Sequence, residues 1–355
     1  MRKLTIANVG ICTLAFLCAV SNAAAEPLGP GVPVRGWTIL SNSEPDAMAV
    51  IGAAKAYDIN HLELSHHLVH DLREIRDPKR QAVVNRLVEA AHKGGIQQVL
   101  LWDHALYDLD YYPKEFRTGP GGTIDLDNPK FWEWFKADYR ALLDLSPRAD
   151  GVVLTFIETG ARVERQHSTK LPMAQDKLAA VVNAVADIVI GERKLTLYAR
   201  TFSYTHEEYR NIAGAISKFA RPEVRLAMKE VPHDFFLTHP NDFFAGTIAR
   251  PTLIEFDTGA EYNGQGLIAN TWPEHILARA KGLLRRPHVT GYVARTDRYG
   301  LTRIIGRPSE INLLALKRVS EDPNVTAETV YDEFITVRYG RAALPHVKTA
   351  FKNAF

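Results

Sequence analysis

The chain has 355 residues, 46% hydrophobic and 24% charged, the composition of a globular protein long enough to bury a sizeable core. Its 43 Lys and Arg against 41 Asp and Glu leave it near neutral, which points away from nucleic acid and from an anionic membrane as partners. Beyond the N-terminal segment there is no low-complexity tract, no internal repeat and no apolar run long enough to cross a bilayer.

Residues 1–25 read as a secretory signal peptide. Arg2 and Lys3 precede the apolar residues 11–20, and Ala23, Ala24 and Ala25 supply small side chains for cleavage. Both cysteines of the chain, Cys12 and Cys18, fall in this segment, and neither has the approach that a lipoprotein signal needs. Without Arg2 and Lys3 the basic residues drop from 43 to 41, equal to the acidic ones. The expectation is a secreted or periplasmic protein, beginning near Glu26, with no disulfide and no membrane anchor after cleavage.

Residues 34–40 form the first candidate strand. Ser43 then caps a helix to Tyr57, with Glu44, Pro45 and Asp46 in its first turn. A second strand, 60–64, leads to His66, His67 and His70. These lack HExxH spacing and a cysteine partner, so no metal is assigned, and His66 is read as a rim or substrate contact. A helix over 78–92 stops at Gly94 and Gly95, and strand 97–102 ends on Trp102. The loop 103–124 is long and rich in Tyr, Asp and Gly, and its length and aromatics argue for a functional role. A helix opens at Asp127 and runs to about Leu143, with Trp132 and Trp134 read as core packing.

Further strands cover 151–156, 194–201, 224–229, 252–256 and about 290–293, and helices cover 172–190, 206–219 and 273–286. Alternation at this spacing means parallel pairing through right-handed crossovers. About eight such units, with no Gly-rich phosphate turn after the first strand, predict a (β/α)8 TIM barrel over residues 26–305 rather than a doubly wound sheet. Helices over 309–319 and 326–339 predict a short C-terminal helical extension, 306–355.

Three strands run into acidic loops. The fourth meets Glu158, the sixth meets His233 and Asp234, and the seventh meets Asp257, Glu261, Tyr262, Asn263 and Gln265. One such loop is a solvated turn. Three at the C-terminal ends of barrel strands predict a pocket of facing carboxylates. The apolar approach to Glu158, through Phe156 and Ile157, predicts that its carboxyl is the neutral acid.

From about Asp125 onward the chain resembles glycoside hydrolase family 67, the α-glucuronidases that remove (4-O-methyl)glucuronic acid from xylan fragments. The motif from Asp127 to Trp134 resembles the family's helix start, and Glu158 stands where the family has its catalytic acid. The stretches 228–235 and 260–265 resemble two further motifs, which puts Asp234 and Glu261 at the carboxylate pair that activates water. Arg200 and Lys229 stand near the cations that hold the uronate carboxylate, a task suited to an arginine fork. Tyr262, Gln265, Trp102 and His66 are read as further substrate contacts. The resemblance implies inverting hydrolysis of an oligosaccharide or polysaccharide, with no cofactor.

The sequence also departs from the family. Leu154, Thr155 and Phe156 carry no cation ahead of Glu158, and Val231 replaces a glycine. The family's N-terminal β domain finds no room before Val34, and loop 103–124 is expected to occupy its space. Three alternatives stay open: an α-glycosidase for another sugar, a carbohydrate-binding barrel without chemistry, and a uronate lyase using Tyr262 or His233 as base.

Overall fold

The structure, a computed structural model, describes residues 32–354. The signal peptide expected over residues 1–25 lies outside them. Eight strands close into a barrel in sequence order: β1 (Val34–Ile39), β2 (His61–Leu64), β3 (Gln98–His104), β4 (Gly151–Thr155), β5 (Thr196–Arg200), β6 (Arg225–Lys229), β7 (Thr252–Phe256) and β8 (Val289–Arg295). Every neighbouring pair is parallel, and β8 returns to β1 with Val34 opposite Gly291 and Thr38 opposite Arg295. The fold is the (β/α)8 barrel. Closure leaves no strand edge open to pairing with another chain.

The strands are buried on both faces, hence their near-continuous apolar character. Alternate residues do different work. Leu100, Val153, Tyr198, Ala227, Leu253 and Val293 point inward and fill the barrel, whereas Val152, Leu154, Leu197, Leu226, Ile254 and Phe256 pack outward under the helices. Those helices are α1 (Glu44–Ala54), α2 (Pro78–Lys93), α3 (Pro129–Asp144), α4 (Ala174–Ala186), α5 (His206–Ile216), α6 (Pro273–Leu283) and α7 (Ile311–Glu321). Ser43, Asp77 and Asn128 cap α1, α2 and α3 with a side-chain oxygen, and each helix has proline in its first turn. Thr205 and Glu208 form a reciprocal capping box on α5. Gly95 takes the left-handed φ of 92° that ends α2. Then α7 packs on α6, α8 (Ala327–Tyr339) on α7, and α9 (Leu344–Lys352) on α8.

Some boundaries differ from the sequence expectation. β3 and β8 continue two residues further, to His104 and Arg295, because their polar ends are paired inside the barrel mouth. α4 gives way at Ala186 to a π-type turn, Asp187–Glu192, and α5 and α6 stop at Ile216 and Leu283. α9 was not anticipated. Residues 230–251, the crossover from β6 to β7, contain no helix. The loop after β3 folds through three 3-10 turns, and most of its aromatics serve packing. Tyr112 and Phe116 are buried against Phe131 and Trp134, and the buried Arg73 guanidinium lies 5.2 and 5.3 Å from the Tyr111 and Tyr112 rings. Trp132 and Trp134 are half-buried against the core, the former donating Nε1–H to Leu126 O at 2.9 Å. Among the described residues, no helix is long and apolar enough to cross a membrane.

Candidate active site

Two residues beyond the interior apolar layer, the same inward alternation brings Trp102, Thr155, Arg200, Lys229, Glu255 and Arg295 to the C-terminal mouth. A layer of charge therefore sits directly on a layer of hydrocarbon. Glu63 of β2 fixes its floor, accepting from Trp102 Nε1 at 2.9 Å and Thr38 Oγ1 at 3.1 Å. Arg200 lies over the Trp102 ring, 4.6 Å from its centroid, a cation–π contact that holds the guanidinium level.

From Arg200 a chain of ion pairs crosses the mouth. Its Nε donates to Glu255 Oε2 at 2.8 Å and its Nη1 to Glu158 Oε2 at 3.0 Å. Arg295 Nε donates to the other oxygen of Glu255 at 2.8 Å, and its Nη1 donates to Glu261 Oε2. Arg298 Nη2 takes the remaining oxygen of Glu261 at 2.9 Å. Lys229 is buried between the faces of Phe202 and Phe235, 3.9 and 4.2 Å from their centroids, and donates to Asp234 Oδ1 at 2.8 Å. The Tyr262 hydroxyl donates to the other oxygen of Asp234.

The pairing sets the protonation states. Burial alone would raise the pKa of Glu255, but Arg200, Arg295 and Lys229 outweigh it and bring it to about 2. Burial, reinforced by Arg200 and Arg295, lowers that of Lys229. For Asp234, burial works upward but is outweighed by Lys229 and the Tyr262 hydroxyl. Glu158 corrects the sequence expectation of a neutral acid. Burial favours the neutral form, yet the His104 ring, Arg200 and Lys229 hold the carboxyl well below the usual range. Phe156 and Ile157 pack into the outer core, so the apolar approach never faces the carboxylate.

Beneath the loop that carries Glu261, Asp257 accepts its N–H at 2.6 Å, and Glu230 accepts the Asp257 N–H at 3.1 Å. Burial pushes these two carboxyls up, to about 6 and about 7. On the opposite side of Glu158 a cavity of about 440 Å3 opens, lined by His66, His67, His70, Tyr107, Glu158 and Arg298. The His70 ring stacks on His104 at 3.8 Å, and His66 lies 5.0 Å from Trp102. Burial, aided by neighbouring positive charge, lowers the pKa of His66 far and that of His70 to about 4, so both rings are neutral.

Glu158, Arg200 and Glu261 thus share one chain of ion pairs through Glu255 and Arg295. Lys229, Asp234 and Tyr262 form a second cluster beside it, close enough for the charges of each to act on the other, with His66 in the adjoining cavity. Trp102, 1% exposed, supports Arg200 from below instead of opening to the mouth. Gln265 takes a left-handed φ of 52° on the β7 loop, outside the ion pairs of the network. Sequence reasoning missed Glu255, Arg295, Arg298 and His104. Period-two counting from the interior layer reaches Glu255, Arg295 and His104. Among the described residues, Asp125, Asp127 and His167 could approach one metal ion. However, the Asp127 carboxylate is already filled by Ser168, Thr169 and Lys170, which makes it a turn clamp, and no metal is assigned.

No family model matches the sequence, and no curated protein matches it. Solved structures do match in shape. A mutant of the Thermobaculum terrenum O-GlcNAc hydrolase superposes with a TM-score of 0.61 at 11% identity, over 89% of this chain and 65% of the other. CpGH84B gives 0.59 at 11% identity, over 90% and 53% of the two chains. A GH138 enzyme targeting pectin rhamnogalacturonan II gives 0.55 at 8% identity, over 87% and 42%. These neighbours are glycoside hydrolases, and the chain spans less than two thirds of their lengths. At such identity the likeness is one of fold, and the resemblance to family 67 rests on the sequence motifs.

Proposed function

We propose that the protein is an exported glycoside hydrolase that removes a uronic acid, (4-O-methyl)glucuronic acid or a relative, from an oligosaccharide with inversion. The observation that carries this reading is the pair of adjoining ion clusters at the barrel mouth, one joining Glu158 of the β4 loop and Glu261 of the β7 loop to buried Arg200 through Glu255 and Arg295, the other joining Asp234 of the β6 loop to buried Lys229. Hydrolysis of a glycoside needs one carboxyl to protonate the leaving oxygen and another carboxylate to activate water. Glu158 takes the first role. Asp234 and Glu261 take the second, with Asp234 as proton acceptor. Its carboxylate is 25% exposed and has lone pairs to spare, whereas both Glu261 oxygens hold an arginine.

The uronate carboxylate is assigned to Arg200 and Lys229. Arg200 directs only two of its five N–H groups to Glu255 and Glu158, and Lys229 directs one of three to Asp234. Although no cation precedes Glu158 on β4, Arg295 and Arg298 bring positive charge from β8 and its loop. A lyase is less well supported: the Tyr262 hydroxyl donates to Asp234, and burial raises its pKa further from a base's range. The likeness to barrel glycosidases supports hydrolysis as the class of reaction.

The test is a screen of oligosaccharides with and without uronic acids, reading reducing ends and product anomers. Release of a uronic acid of inverted anomeric configuration is the expected result. Arg200→Ala should lower kcat/KM on uronides by about 1.5–3 kcal/mol, roughly 10- to 100-fold, and far less on neutral glycosides. Equal losses would sink the uronate assignment and leave the glycosidase. Turnover of no glycoside would sink both.

A further inference from the structure

His104 ends β3 beside the cavity, with its Nε2 3.8 Å from Glu158 Oε2. Its other ring nitrogen, Nδ1, meets the backbone carbonyl of His70. A carbonyl oxygen can only accept, so Nδ1 carries the hydrogen, and the neutral ring presents a bare lone pair at Nε2. That nitrogen is buried and has no other hydrogen-bond partner among the described residues. A bare lone pair aimed at a carboxylate is repulsive, and one proton between the two groups removes the conflict. We infer that His104 and Glu158 hold one proton in common, the imidazole being the store from which Glu158 is armed as an acid.

The surroundings leave these two groups as the place for that proton. His66 and His70, on the β2 loop, are kept neutral by burial. Tyr107 from the β3 loop and Tyr204 from the β5 loop are phenols, poor carriers near neutral pH. Arg200 from β5 and Lys229 from β6 are fixed positive charges that favour ionised Glu158, and Arg298 from the β8 loop lines the same cavity.

The catalytic consequence rests on the glycosidase reading. A sugar carboxylate that pairs with Arg200 and Lys229 offsets the charges holding Glu158 ionised. The proton then passes from Nε2 to Glu158 and on to the leaving oxygen. The glycosidic C–O bond breaks with its electron pair going to that oxygen. Water bonds to the anomeric carbon, its proton goes to Asp234 and from there to solvent, and His104 is reloaded from solvent. An anionic substrate would thus arm its own acid, which a neutral sugar could not do. The 3.8 Å gap is of the kind that closes when substrate binds.

Two measurements separate this inference from the reading beneath it. The first follows the His104 ring by NMR in histidine-labelled protein, with His104→Gln identifying the signal. Glu158→Gln, which keeps the shape and can donate to Nε2, should move the His104 titration midpoint down by about one pH unit. An unchanged midpoint overturns the shared proton. The second compares wild type and His104→Gln on a uronyl oligosaccharide and on a nitrophenyl uronide. On the sugar leaving group kcat/KM should fall about 10²-fold, with its alkaline limb displaced to lower pH; the nitrophenolate, which needs little protonation, should lose less than about tenfold. Equal losses with an unmoved limb mean a packing role and overturn the inference. A midpoint that responds in a protein hydrolysing no glycoside would support the shared proton while defeating the glycosidase.

Discussion

Glu255 lies between two guanidinium groups, each bonded to a different one of its oxygens. It is 1% exposed, and with Lys229 also near, it faces more positive charge than it can neutralise. Removing its charge should therefore cost more than two hydrogen bonds. Glu255→Gln leaves Arg200 and Arg295 repelling each other in a buried layer, and the loss expected is about 3–5 kcal/mol of unfolding free energy. Urea denaturation at pH 7 measures it; a loss below about 1 kcal/mol would mean that water already screens the layer. The sign with pH follows from a carboxyl held at about 2, below its unfolded value. Its contribution is present above pH ~4.5 and fades as pH falls toward 2. Glu158 follows the same sign, which is why the acid role proposed for it needs a proton supplied from elsewhere.

Strands and their loops explain what the sequence disclosed. Glu158, Asp234 and Glu261 were legible because each follows an apolar run and stands in a polar loop. Arg295 and His104 were not, because the strand ends were drawn where the apolar run stopped. In a closed barrel a strand continues as long as its inward residues find partners, and an ion network partners Arg295 as well as a core would. Counting inward positions by two from Leu253 reaches Glu255, and from Val293 it reaches Arg295. In sequence the aromatics of the loop after β3 point to function, yet Tyr111, Tyr112 and Phe116 answer to Arg73 and α3. What that loop gives the mouth is Tyr107, held by close backbone approach to the β4 loop. A Cβ on Gly160 would stand 2.2 Å from Tyr107 O, so Gly160→Ala must push the two loops apart. Because both lie above the core, activity should suffer more than stability: a fall in kcat/KM of about 10- to 100-fold with little change in Tm. A fall in Tm of many degrees with normal turnover in the folded fraction would contradict this.

Over the whole molecule, buried carboxyls of opposite bias set how stability depends on pH. Glu255, Glu158 and Asp234 are held low by cations, so their contribution weakens as pH drops below about 4.5. Glu230, Asp257 and Asp297 are pushed the other way by burial, to about 7, about 6 and about 7. Their neutral forms suit the fold, so their contribution is full below pH ~4 and is lost as pH rises through 6 and 7. The two trends oppose each other, and the stability maximum should fall near pH 5, on the acid side of neutrality. Asp297 offers the cleanest check because it touches no part of the proposed site chemistry. One of its oxygens accepts the N–H groups of Leu40 and Ser41 at 2.7 and 3.0 Å, tying the end of β8 to the end of β1, while the other is buried without a partner. Asp297→Asn keeps a carbonyl for both N–H groups and cannot ionise. It should match wild type at pH 4 and exceed it by about 1–3 kcal/mol at pH 8, flattening the alkaline fall. Urea midpoints from pH 4 to 9 would decide the matter, and wild-type stability that climbs steadily from pH 5 to 8 would overturn the assignment of these three carboxyls.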